Sequence, residues 1–187
     1  ADTVGVVLAT RLHRSRDIKL AIDIGTNGEM VLGCRERLLC CSAAAGPAFE
    51  GGQVRQGMIA APGAIERVTL VDGVSVVTVD GARPRGICGS GLIDALAEML
   101  KCGLLEPTGR LLSPEMAQAV LAPGLARRVV RDDEGLHFVL VEGSETGSGQ
   151  PIAIYQKDVR QLQLAKAAVR AGVEVMKKEL GIGDSEI

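Results

Sequence analysis

Aromatic residues are nearly missing from this chain: its 187 residues include no tryptophan, one tyrosine and two phenylalanines. Any buried core must therefore be built from Val, Leu, Ile and Ala, and aromatic platforms for stacking bases are not available. Strong charge of either sign is missing too, the formal net charge being −2. With no basic stripe and no RNP-like motif, there is no electrostatic case for nucleic acid or an anionic membrane as partner. No apolar run approaches the roughly 18 residues of a membrane span, and the N-terminus has no signal-peptide pattern. The five cysteines (Cys34, Cys40, Cys41, Cys88, Cys102) are odd in number and contain no C-x-x-C spacing. That predicts reduced thiols, a cytoplasmic location, and no disulfide framework, metal site or cluster within the chain. Internal repeats and low-complexity tracts are also lacking.

What is present is glycine, 24 residues of it, in a chain whose apolar content of 47% suits a globular core. Its length sets a prior of one domain or slightly more. The organising stretch is residues 20–33, which reads as strand, tight turn and second strand. Leu20, Ala21, Ile22 and Ile24 form an apolar run suited to a buried strand. Asn27 and Gly28 are the pair a two-residue type I′ turn demands. Asp23 interrupts the apolar run, and an unpaired carboxylate buried there would be costly. Two readings stand side by side. In one, glycines let backbone N–H groups reach an anion, Thr26 adds a donor, and Asp23 holds hydrated Mg²⁺. In the other, Asp23 caps the turn of an ordinary hairpin.

Around this stretch, residues 2–12 predict a helix capped by Asp2 or Thr3, with Val4, Val7, Leu8 and Leu12 on one face. Arg11, His13, Arg14 and Arg16 then meet the helix dipole. A start in mid-helix without methionine suggests a piece of a longer chain. Residues 37–42 predict a third strand, completing an antiparallel meander. A loop of small residues follows, in which Glu50 reads either as a solvated loop carboxylate or helix cap, or as a site residue. Residues 64–71 and 74–79 predict a hairpin turning at Asp72 and Gly73. Gly89, Ser90 and Gly91 open a helix whose inner face is Leu92, Ile93, Leu96 and Leu100 and which stops at Gly103. Ser90 reads as its cap, and the N-terminal N–H groups favour an anion. Cys88 reads as inert packing unless a base lies nearby. Ser113 caps a short helix closed by Pro123 and Gly124, and strands lie at 129–130 and 136–141. His137 reads as a half-buried strand residue, and residues 142–150 as a flexible loop. The last helix is capped by Asp158, with Gln161 at the capping-box position and Gly181 after its end. Val159, Leu162, Val169, Val173, Met176 and Leu180 form its stripe. Residues 183–187 predict the start of another strand.

Four segments in this order, DIGTNGE (23–29), AAGPAFEGG (44–52), RGICGSGLIDAL (85–96) and QLAKAAVRAG (163–172), resemble the C-terminal half of the ATP-dependent reductive activators of corrinoid proteins. The similarity spans nearly the whole chain. It implies an α/β, ribonuclease H-like or actin-like (ASKHA) ATPase half: a mixed sheet starting with the three-strand meander, packed by helices, with a β-hairpin extension. Residues 1–187 would form one subdomain of a longer protein, with 104–150 as a peripheral insertion. The resemblance implies that Asp23, Gly25, Thr26, Asn27, Gly28 and Glu29 match the second phosphate hairpin. Gly89, Ser90 and Gly91 would match the Gly-rich helix start on the nucleotide side, with Glu50 a further candidate. ATP and Mg²⁺ would be the cofactors, Asp23 acting on the metal through water or on attacking water. An iron–sulfur cluster would belong only to an N-terminal domain of the parent chain. The first phosphate hairpin and a Leu-Ala-Gly-Gly-Phe-Gly-like adenosine motif are expected outside residues 1–187, leaving one wall of a cleft. The implied partner is a corrinoid protein or corrinoid-dependent methyltransferase, with a homodimer also considered. Two rivals remain: a small-molecule kinase of the same fold, and a non-catalytic module that docks a partner.

Overall fold

The computed structural model describes residues 2–71 and 73–187. The chain divides into two compact units, residues 1–47 with 164–187, and residues 48–163. The fold is mixed α/β, as the sequence led us to expect.

In the first unit, α1 (Asp2–Ala9) precedes β1 (Lys19–Ile24), β2 (Asn27–Gly33) and β3 (Leu38–Ala44). The three strands form the expected antiparallel meander in the order β1-β2-β3. Helix α5 (Gln156–Leu180) runs through both units, and its C-terminal part packs on one face of this sheet. Met30, Leu32, Val173 and Met176 are the buried centre there, flanked by Leu20, Leu39 and Val169. Two glycines make the approach close. A Cβ on Gly28 would lie 2.8 Å from Val169, and one on Gly172 would collide with the Met30 methyl group.

That packing revises the expected turn. Ile24 pairs with Gly28, so the chain reverses through Gly25, Thr26 and Asn27, and neither Asn27 nor Gly28 has positive φ. Gly28 is small because a helix lies over it. The expectation of a buried first strand also fails. β1 is an edge, and Asp23 and Ile24 are exposed, so no burial penalty falls on Asp23. α1 is shorter than predicted and buries none of its residues, with Val4 62% and Leu8 60% exposed. Arg11 takes a left-handed conformation, and Leu12 to Arg14 form a separate 3-10 turn. Residues 184–186 form a 3-10 turn instead of a strand. Lys177, Glu174 and Arg170 of α5 hold Asp184 or one another in an ion-pair network.

In the second unit, β4 (Ala64–Leu70) is flanked by antiparallel β5 (Val74–Thr78) and parallel β6 (Gly86–Ile87). Asp72 of the predicted turn lies outside the described residues. Along β4, β6 reaches Ala64 and Ile65 and no further among the described residues, so the rest of that edge of β4 needs other acceptors. Helix α2 (Gly89–Lys101) supplies them: Asp94 accepts from the Val68 N–H at 2.6 Å and Glu98 from the Leu70 N–H at 3.2 Å. The same helix buries Leu92, Ala95, Leu96 and Met99. Ile93 and Leu100, expected inside, are exposed, because the strand is met along the 92, 95, 96, 99 stripe. A Cβ on Gly91 would collide with the Ile65 carbonyl oxygen.

Beyond it, α3 (Pro114–Val120) is capped as predicted, Ser113 Oγ accepting from Met116 N–H. Pro123 opens α4 (Pro123–Ala126) and does not simply close α3. A second sheet has the order β7 (Val129–Asp132), β8 (Gly135–Val141) and β9 (Ile152–Tyr155), all antiparallel. β9 escaped the sequence reading because Ile152 to Tyr155 is short and runs directly into α5. For the same reason Asp158 is not the cap of α5. It is buried inside the first turn, where its two oxygens accept from Arg55 N–H and Tyr155 N–H at 2.9 Å each.

Two expectations follow. Gly91→Ala should destabilise the protein by about 1–3 kcal/mol, since the clash is with backbone, whereas Gly5→Ala, with open space around it, should stabilise α1 by up to about 1 kcal/mol. Urea titration of each variant checks the contrast. Burial raises the carboxyl pKa of Asp158 above its ordinary 3.8, against the opposing pull of its two N–H donors and the Arg55 charge. A raised carboxyl favours the protonated fold, so its contribution is complete below 3.8 and declines as pH rises through the raised value. Asp158→Asn should lower stability by about 1–3 kcal/mol by leaving one N–H unpaired, and should also remove that decline from the stability–pH profile.

Candidate functional site

Binding a magnesium-bound phosphate draws on N–H groups and a hydroxyl for the anion and a carboxylate for the metal, presented to solvent on a rigid support. In the first unit the β1–β2 hairpin offers that set. Asp23 is exposed next to the last residue of β1, Gly25 and Thr26 form the bend, and Asn27 opens β2. The Thr26 carbonyl accepts from Gly46 N–H at 2.9 Å, which ties the bend to the end of β3. The opposite face carries the Gly28–Val169 approach, so the hairpin is supported by α5.

Register decides which side chains meet. Asp23 stands opposite Glu29, and Glu29 opposite Ser42, placing the three on one sheet face. Glu29 is partly buried and accepts a hydrogen bond from Thr3 Oγ1 at 2.6 Å. Thr3 therefore serves this contact and is not the helix cap the sequence suggested. No local pattern announces a bond between residues 26 positions apart.

In the second unit, Gly89, Ser90 and Gly91 open α2, but Cys88 occupies the cap position and no side chain caps the helix. Ser90 is exposed within the first turn. Both glycines have packing reasons: a Cβ on Gly89 would strike the Phe49 carbonyl oxygen, and one on Gly91 that of Ile65. The first contact brings the segment ending in Glu50, itself exposed at the end of a 3-10 turn (Pro47–Glu50), beside the start of α2. Cys88 is buried, its Sγ donating to the Ile65 carbonyl at 3.2 Å with the Ser90 Oγ 3.3 Å away. Among the described residues no histidine hydrogen-bonds it, which fits packing. His137 is likewise buried in β8, its Nδ1 bonded to the Gly135 carbonyl.

A second cluster of the same unit was not legible in the sequence. Arg55 stacks over Tyr155 at 4.6 Å and pairs with Glu134, whose other oxygen accepts from the Tyr155 hydroxyl at 3.1 Å. The three line a cleft of about 530 Å³. Burial, then the bond to Glu134, raises the Tyr155 phenol pKa. Among the described residues, no group of three or more His, Cys, Asp or Glu side chains could hold a metal ion. No helix among them is long and apolar enough to cross a membrane.

Thiol exposure gives a direct test of Cys88. In the folded protein Cys40, exposed on β3, should react with a maleimide first. Cys88 should be labelled only after denaturation, as peptide mapping by mass spectrometry would show.

Comparison with known proteins places this geometry in context. Residues 17–187 match the family model described as the C-terminal domain of RACo, the ASKHA domain. The chain is 37% identical over 188 residues to the corrinoid activation enzyme RamQ of Eubacterium limosum, covering 100% of the chain and 31% of that protein. It is 34% identical over 148 residues to the [Co(II) methylated amine-specific corrinoid protein] reductase of Methanosarcina barkeri, covering 67% of the chain and 27% of that protein. The solved structure of a reductive activator for a corrinoid, iron–sulfur protein superposes on the whole chain with a TM-score of 0.87 at 41% identity, over 29% of its own length. The chain thus spans under a third of the length of these relatives.

Proposed function

The chain belongs to the family of RACo C-terminal ASKHA domains, and on that premise we propose that it is the phosphate-binding part of an ATP-dependent reductive activator of corrinoid proteins. The observation that carries this reading is the hairpin: an exposed carboxylate beside a Gly–Thr–Asn bend, on a meander anchored from behind by α5. Its donor set fits a magnesium–nucleotide phosphate. Asp23 would hold Mg²⁺ through water, since a lone exposed carboxylate suits a metal that keeps most of its hydration shell. Thr26 would donate its hydroxyl, and the bend at Gly25, Thr26 and Asn27 would bring N–H groups to phosphate oxygen. Gly28 serves by letting α5 brace the hairpin, and Glu29 stands beside Asp23. In the second unit, the exposed Ser90 and the free N–H groups of the α2 start form an anion-favouring group of their own.

When bound, Mg²⁺–ATP supplies the free energy that drives reduction of an inactive Co(II) corrinoid to Co(I). Electrons would come from an iron–sulfur domain of the parent protein, and a corrinoid protein would be the partner. Support comes from RamQ and the methylated amine-specific reductase, relatives concerned with corrinoid activation and Co(II) reduction respectively. This chain's own residues would position the phosphate and its hydrated Mg²⁺, and positioning is most of what a protein contributes to such chemistry.

The test uses the full-length protein. It should bind Mg²⁺–ATP by calorimetry and reduce its corrinoid partner in an ATP-dependent manner. Asp23→Ala should lower the ATP-dependent rate on the order of 100-fold while leaving the thermal melt near that of the unaltered protein. Phosphoryl transfer to a sugar or carboxylic acid would instead identify a kinase. Partner reduction untouched by Asp23→Ala would leave a docking module.

A further inference from the structure

Asp23 and Glu29 are directly opposed on neighbouring antiparallel strands, a placement that sets their Cβ atoms roughly 5 Å apart. Two ionised carboxylates so placed repel each other, and they compete for any cation that approaches. The structure holds one of them. From α1, Thr3 Oγ1 donates to Glu29 Oε2 at 2.6 Å, a distance typical of a hydroxyl bonded to a charged acceptor. Thr3 is β-branched and stiff about χ1, so the hydroxyl has few alternative positions. α1 buries none of its residues, so this bond is a specific tie of the helix to the hairpin. On the other face Gly28 rests against Val169, which leaves the backbone under Glu29 little room to adjust.

We propose that Thr3 is a positioning residue for the phosphate hairpin: by fixing the Glu29 carboxylate it leaves Asp23 as the single directed carboxylate available to the metal–nucleotide. This rests on reading the hairpin as a phosphate site. It assigns a role to α1 that neither the hairpin motif nor the helix pattern contains. A valine at position 3 would keep the shape and lose only the hydroxyl, whereas a serine would keep the hydroxyl and lose only a methyl group.

The experiment is ATP hydrolysis by the full-length protein as a function of free Mg²⁺, for Thr3→Val, Thr3→Ser, Glu29→Gln and Thr3→Val/Glu29→Gln, with thermal melts alongside. Thr3→Val should raise the Mg²⁺ concentration for half-maximal rate by about tenfold, the loss of one charge-assisted bond. Thr3→Ser should stay within about twofold of the unaltered protein. In the Glu29→Gln background, Thr3→Val should add nothing, because its effect passes through Glu29. Equal Mg²⁺ dependence of Thr3→Val and the unaltered protein overturns the inference, as does equal impairment of the Val and Ser variants. If Thr3→Val fails to fold, the comparison of Thr3→Ser with Glu29→Gln decides: loss on Ser with none on Gln overturns it. Asp23→Ala run in parallel separates the two levels. A silent Asp23→Ala defeats the hairpin reading itself, whereas a disabled Asp23→Ala beside an unaffected Thr3→Val defeats only the role of Thr3.

Discussion

The close approach of α5 to the meander is the constraint on which the first unit depends. A helix can come this near a sheet only where side chains are small, and Gly28 on the sheet and Gly172 on the helix provide the space. Met30 and Cys41 then lie against the helix, and Val173 and Met176 close the core around Met30 and Leu32. With one face fixed, the other face of β1 and β2 is defined as well. It carries Asp23, Glu29 and Ser42 in one row. On the proposed function, a polar row on a braced sheet would suit the hairpin to phosphate, since preorganised groups need not move to meet charge.

The second unit solves a different problem with the same economy of residues. β4 has a full partner on one side and only a two-residue partner on the other. The vacant N–H groups are met by carboxylates of α2, and Gly91 lets that helix lie against the strand. Near the start of α5, Asp158 binds two backbone N–H groups from separate segments and so fixes Arg55 and Tyr155 in their stacked arrangement. With so few aromatic residues, this unit gains order from directed carboxylate-to-backbone bonds as well as from aliphatic packing. Such bonds to charged acceptors are worth more than neutral ones, which suits a core of aliphatic side chains packed around the phenyl ring of Phe138, a buried aromatic the composition alone did not lead us to expect.

Much of the fold could be read directly from the chain. The meander, the hairpin of β4 and β5, the helix from Gly89 to Lys101 and the long last helix all have periodicities or turn residues that local physics dictates. In the apolar stripe of α5, Val159, Val173 and Met176 are buried and Leu162, Val169 and Leu180 are half-buried, all on the packed face as their spacing requires. The misreadings share a cause. Asn27 and Gly28 carry the letters of a two-residue turn, yet the glycine answers to Val169, which is distant in sequence. Asp158 carries the letter of a cap, yet its partners are Arg55 and Tyr155. The apolar residues of α1 and β1 signal burial, yet Val4, Leu8 and Ile24 are exposed here.

The sequence by itself determined the element types, the aliphatic character of the core, and the family to which the hairpin and helix-start motifs point. Those properties are set by residues a few positions apart, where periodicity and turn chemistry act. Only the tertiary structure decided that Asp23 is exposed, that Glu29 faces it across the strands, and that Thr3 grips Glu29 from another element. Strand register and helix docking bring together groups far apart in the chain. Both are fixed by global packing, which the local preferences of any single segment do not encode.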